Sequence, residues 1–326
     1  MAEEPKEEKL GLYFKGYLIG HNGWVTSLAM GSYESKPMLV SGSRDKTLIR
    51  WQVDAEPEER TESIGKPVRQ YKGHSHFIQD ITLSQDSNYA LSASWDKTIR
   101  LWSIKDGESK KLFQGHTKDV LTVALSSDNK LVLTGGRDSQ LKLWSVNGEN
   151  KHTVENAHQK WISCIRFSDA KYREFYTAGW DNEIGIWDSQ TFNKKATLKG
   201  HTGFITCLAV APNGTILGSG SKDGKLNLWD INGGAVYRTL IVGKTINCIA
   251  FSRAQAWVAI GTEDSIQIWD IKNTKMLTEV ILEPHKKDAK CKQSVQALSI
   301  CFDGSSARIY VGCQDSNIRV FELSKQ

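Results

Sequence analysis

The chain has 326 residues, 39% of them hydrophobic and 24% charged, which is enough for a large globular core, and no apolar run is long enough to span a bilayer. Its 42 basic and 37 acidic side chains give a formal charge of +5, which permits an acidic partner without requiring one. Six cysteines with no C-x-x-C spacing argue against a disulfide framework or a zinc module.

Residues 1–11, MAEEPKEEKLG, form an acidic tail. It has neither the apolar stretch of a secretory signal nor the Arg-rich make-up of a mitochondrial presequence, so a cytoplasmic location without membrane insertion is expected. LYFKGYLI (12–19) reads as a strand with no partner beside it.

A repeat then begins. Gly20-His21, Gly73-His74, Gly115-His116, Ala157-His158 and Gly200-His201 are each followed 28 to 30 residues later by Trp51, Trp102, Trp144, Trp187 or Trp229. Between these markers lie short alternating apolar runs such as VLTVALS, KLVLTGG and QLKLW, separated by turn clusters such as SSDNK and APNGT. The period is a little over forty residues, and each unit predicts a small antiparallel sheet of about four strands. Residues 243–270 supply a sixth unit, with Lys244 in place of the histidine, and 294–322 a seventh, with Phe321 in place of the tryptophan. Such a sheet cannot bury both faces alone, so the units must stack, and closing the stack into a ring leaves only short protected edges. The expected fold is all-β, one seven-bladed β-propeller over residues 1–326 with repeats in 20–322. The seventh unit ends without an outer strand, so strand 12–19 is expected to complete it and latch the ring.

Inside the first five units an aspartate lies six positions before the tryptophan, and a serine or threonine ten before it. The sets are His21, Ser41, Asp45 and Trp51; His74, Ser92, Asp96 and Trp102; His116, Thr134, Asp138 and Trp144; His158, Thr177, Asp181 and Trp187; His201, Ser219, Asp223 and Trp229. A buried aspartate needs donors, and imidazole N–H, hydroxyl and indole N–H can relay them across strands. A structural tetrad in each blade is therefore expected. Ala259 and Val311 stand where counting places the hydroxyl of blades six and seven, which are expected to be the weakest.

A Ser-His-Asp hydrolase is the rival interpretation, but a catalytic centre is not built five times and no G-x-S-x-G elbow occurs. GSGSKDGK (218–225) lacks phosphate-loop spacing. No catalytic residue, metal ligand, cofactor or small-molecule substrate is expected. Basic residues flank the turn aspartate at Arg44, Lys46, Lys97, Arg137 and Lys222. They should point to solvent if the aspartate points inward, either as solvated charges or as phosphate contacts.

Gly-His paired with Trp-Asp, complete at Trp187-Asp188, Trp229-Asp230 and Trp269-Asp270, resembles the WD-repeat family. The ordered run of SRDKT, GHSHF, SWDKT and GHTKDVL is similar over nearly the whole chain to the receptor for activated C kinase family. That resemblance implies a non-catalytic scaffold on the head of the small (40S) ribosomal subunit near the mRNA exit. It would touch 18S rRNA and ribosomal proteins and recruit protein kinase C and other signalling clients to regulate translation. The family's Arg-Asp-Lys motif falls on Arg44, Asp45 and Lys46, the bases meeting RNA phosphate and Asp45 holding the turn; Lys97 and Arg137 are candidates to extend that contact. Animal members carry Arg-Tyr-Trp in blade six with a tyrosine that supports kinase binding, whereas Gln255-Ala256-Trp257 stands here, so no tyrosine-dependent contact is expected. EPHKKDAKCKQS (283–294) resembles the family's protruding loop between blades six and seven. The alternative is a ribosome-independent WD-repeat signalling adaptor, which has no need of a basic patch on blade one.

Overall fold

In a computed structural model of the protein, residues 10–53, 63–168, 173–285 and 294–325 are described. They form 28 strands in seven four-stranded antiparallel sheets, the blades of a propeller. In blade one the strands are Val25–Tyr33, Lys36–Ser43, Thr47–Gln52 and Lys66–Lys72, from the channel outward. The innermost strands of neighbouring blades face one another around the central channel. The second and third strands are nearly all buried, whereas Lys66–Lys72 alternates little and is largely exposed, as an outer edge should be.

Every innermost strand carries a bulge after its first residue, as between Val25 and Ser27. The extra residue is Thr26 in blade one, Ser163 in blade four, Thr206 in blade five and Asn247 in blade six. Each of these donates a hydrogen bond to a carbonyl of the next blade: Thr26 to Ile78, Ser163 to Ile205, Thr206 to Ile246 and Asn247 to Ala297 (2.6–3.0 Å). A bulge frees one residue from the ladder and re-aims its side chain, and here the freed side chain stitches adjacent blades.

Seven apolar clusters fill the seven gaps between blades. The motif tryptophans belong to these gaps. Trp102 of blade two packs among Met38, Val40, Leu48 and Tyr71 of blade one, and Trp144 of blade three among Leu91, Ile99 and Phe113 of blade two. Burying an aromatic side chain of this size contributes on the order of 3 kcal/mol, so the motif tryptophan of blades one to six, and Phe321 of blade seven, is a large share of its joint.

The last blade is built from both ends of the chain. Leu10–Leu18 pairs antiparallel with Ile318–Lys325, from Leu10 opposite Lys325 to Leu18 opposite Ile318. Leu12 and Leu18 are buried, Phe14 meets Phe321 edge-on at 5.6 Å, and Lys15 pairs with Glu322 at 2.9 Å. The closing strand begins two residues before the expected 12–19 and ends at Leu18, leaving Ile19 exposed. Most of the acidic tail (1–9) and residues 286–293 of the 283–294 loop lie outside the described residues.

Candidate functional site

The five tetrads converge in the folded chain. In blade one His21 Nδ1 is 2.7 Å from Asp45, His21 Nε2 is 2.7 Å from Ser41 Oγ, and Trp51 donates its indole N–H to Ser41 Oγ at 2.7 Å. Blades two to five repeat this within 0.2 Å: His74, Ser92, Asp96 and Trp102; His116, Thr134, Asp138 and Trp144; His158, Thr177, Asp181 and Trp187; His201, Ser219, Asp223 and Trp229. A neutral imidazole satisfies every atom. The indole donates to the hydroxyl oxygen, the hydroxyl donates to Nε2, and Nδ1–H donates to the carboxylate. All five hydroxyls are 0% exposed, so none can meet a substrate as a nucleophile.

Each aspartate also ties its own turn. Asp45 accepts from the Asn22 N–H, the Thr47 N–H and the Thr47 hydroxyl. Burial works to raise its pKa, but these donors together with His21 outweigh it and hold the carboxyl down to about 2.

Blade six corrects the expected assignment. The turn of blade six is one residue shorter, so Ile260, opposite Gln267, occupies the place of Ser219, opposite Asn227; Ala259 lies one step away. Neither blade is left without polar ties. In blade six Lys244 bridges Asp264 and Glu279 at 2.9 and 3.0 Å, Gln267 donates to Glu279, and Trp269 donates to Gln267. Val311 does hold the hydroxyl place in blade seven, opposite Arg319, and Arg319 forms a buried fork to Asp315 at 3.0 and 2.6 Å.

The turns carrying the aspartates share one face, and the two residues flanking each aspartate diverge. The residue after it takes a left-handed backbone, with φ of 71° at Lys46 and at Lys97, 61° at Ser139 and 76° at Gly224. Lys46 and Lys97 are exposed, as expected. The residue before it turns the other way. Arg44 and Arg137, expected in solvent, are half-buried and line a cavity of about 340 Å3 at the channel mouth, with Trp95, Trp180 and Lys222 from the same turn position. A tight turn gives the residues on either side of its aspartate different surroundings, which sequence neighbourhood alone does not reveal.

Around that mouth runs a collar absent from the sequence-based expectation. Just before the first buried residue of the innermost strands stand Trp24, Phe77, Asp119, Trp161 and Phe204, and each accepts a backbone hydrogen bond from its turn partner Arg44, Trp95, Arg137, Trp180 or Lys222. Arg44 lies 3.8 Å over Trp24. Arg137 sits 4.1 Å from Trp95 and 4.4 Å from Trp161, paired with Asp119 at 2.8 Å. The signal was present in GWV, HFI, KWI and GFI, where a large aromatic occupies a rim position with no core to fill.

A left-handed backbone costs a side-chain-bearing residue about 1–2 kcal/mol, partly offset in glycine by greater unfolded-state entropy. Lys97→Gly should therefore stabilise the protein by about 0.5–1 kcal/mol, read as a rise in the denaturation midpoint at constant slope. A lower midpoint would show that the Lys97 side chain itself holds the turn.

The WD domain, G-beta repeat family matches residues 13–52, 65–103, 107–145, 148–188, 192–230 and 236–270, which covers six of the seven blades. The Caenorhabditis elegans protein named small ribosomal subunit protein RACK1 is 39% identical over 311 residues, 95% of this chain and 96% of its own length. The Drosophila melanogaster protein of the same name is 41% identical over 315 residues, 96% and 98% of the two chains. MST50-interacting protein 11 of Pyricularia oryzae is 39% identical over 312 residues, 95% and 97%. With end-to-end similarity at this level, and six tryptophan-bearing blades closed by the N-terminal strand, the chain belongs to the receptor for activated C kinase family of WD-repeat propellers.

Proposed function

We propose that the protein is a non-catalytic scaffold of the small ribosomal subunit. It sits on the 40S head near the mRNA exit, binds 18S rRNA and ribosomal proteins through the face of the aspartate turns, and offers its other surfaces to signalling proteins such as protein kinase C. A cytoplasmic location follows from that role. The names of the C. elegans and D. melanogaster relatives support the ribosomal part.

The observation that carries the rRNA contact is the exposed lysine that the left-handed turn presents in each of blades one and two, Lys46 and Lys97. Blade five places Gly224 at the same turn position, where glycine relieves the left-handed backbone at no steric cost, yet blades one and two keep exposed lysines at φ 71°. Arg44 stands beside Lys46 across Asp45, and Arg137 lies two blades on. Together they give the face fixed positive charges over a rigid base.

Arg44→Asp with Lys46→Glu should release the protein from small subunits in gradient sedimentation at physiological salt while its melting curve stays cooperative. Each lost phosphate contact should also lower the salt dependence by a slope of roughly 0.7–0.9. Lys46→Glu alone should weaken binding with no change in stability, because its side chain is exposed and bonds to nothing in the tetrad. A double variant that still cosediments with the wild-type salt slope would place the ribosomal contact on another face.

A further inference from the structure

Among the described residues, the cavity at the channel mouth is lined by three cations, Arg44, Arg137 and Lys222, and by no carboxylate. Both guanidinium groups lie within 5.6 Å of the one Trp95 ring. Stacking on indole consumes none of a guanidinium's N–H donors. The Nε atoms of both arginines are buried with no hydrogen-bond partner among the described residues. The two like charges also act on each other: burial, and then Arg137, depress the Arg44 pKa. Asp119 compensates Arg137, and no carboxylate compensates Arg44 among the described residues.

We propose that this mouth binds a phosphomonoester carried on an acidic protein segment, its dianion bridging Arg44 and Arg137. A phosphomonoester carries nearly two charges and three terminal oxygens, enough to accept from both forks at once. A nucleic-acid strand fits less well, since each of its internal phosphates carries a single charge and its bases need free aromatic faces. Here the indoles already have partners: Trp24 is covered by Arg44, Trp95 by Arg137 and His76, and Trp180 by Phe204 at 4.7 Å and 6°. Lys222, 5.5 Å from Trp180, and the exposed Lys160, 5.4 Å from Phe204, suit acidic residues flanking the phosphate. The site goes beyond the ribosomal contact, sharing Arg44 and Arg137 with it but not Lys46.

The test uses the full chain and a fluorescent peptide with one phosphoserine between aspartates, read by anisotropy. The unphosphorylated twin and a single-stranded RNA oligonucleotide serve as competitors. The phosphopeptide should bind at least about tenfold more tightly than its twin, and Arg137→Gln or Arg44→Gln should each remove that difference while the chain still melts cooperatively. Asp119→Asn should tighten binding severalfold, because it frees Arg137 from a competing carboxylate, an effect that a merely structural arginine would not produce. Lys46→Glu should leave peptide binding unchanged, whatever it does to ribosome sedimentation. Equal affinity for the twin, displacement by RNA at matched concentration that persists in Lys46→Glu, or unchanged binding by both arginine variants would each overturn the proposal.

Discussion

Removal of residues 1–18 should make the chain aggregate and lower its melting temperature by on the order of 10 °C. The deletion strips Ile318–Lys325 of its antiparallel partner along eight register pairs and exposes a bare edge on the last blade. It also removes the buried Leu12 and Leu18, each worth about 1.5–3 kcal/mol of burial, and uncovers Phe321. The loss of several kcal/mol is a large fraction of a net stability of about 5–15 kcal/mol. Size-exclusion chromatography with a thermal melt reads both effects. A truncated chain that elutes as a monomer with the wild-type midpoint would mean that the ring is held by its inter-blade cores alone.

Acid should unfold the protein steeply, because five aspartates titrate together. In Asp45, Asp96, Asp138, Asp181 and Asp223 burial pushes the pKa up, but the hydrogen bond from the tetrad histidine and the turn N–H groups bring it below the ordinary carboxylate value. A folded pKa below the unfolded value of about 3.9 means that the unfolded chain binds the proton first. The stability these groups contribute is complete above about pH 5 and is lost as the pH falls toward their folded values, about 2 for Asp45. The melting temperature should fall steeply below about pH 4, with an uptake of several protons on unfolding. Asp96→Asn should lose stability by roughly 1–3 kcal/mol at neutral pH, and its acid transition should be shallower by about one proton. Acid sensitivity identical in wild type and variant would remove Asp96 from the linkage.

The blade count, the latch and the residues of the five tetrads were legible because they follow from spacing, and spacing survives wherever turns keep their length. Blade six shows where that fails. Counting back from Trp269 crosses a turn one residue short, so it lands on Ala259 instead of Ile260. The substitute network there was out of reach for a second reason: Glu279 belongs to the outer strand, far from the repeat signature that directs attention to Lys244 and Trp269. Arg44 was misplaced for a third. Its neighbourhood with Lys46 is a fact of sequence, but only the folded turn sets Arg44 half-buried over Trp24 and Lys46 exposed at a left-handed φ. The collar was missed because its aromatics look like core residues until the blades are laid column on column.

The pairing of the first strand with the last also sets the order of events in folding. Closing the loop between Leu10–Leu18 and Ile318–Lys325 spans the longest sequence separation of any strand pair among the described residues, and it is open only after Ile318–Lys325 has been synthesised. Six blades can form and stack as they emerge, while the ring stays an open arc with its joint unmade. Once Leu10 has met Lys325 the same joint works in reverse, because no blade can leave without first unzipping it. The protein should therefore be slow to fold and slower to unfold, its lifetime governed by the opening of one strand pair.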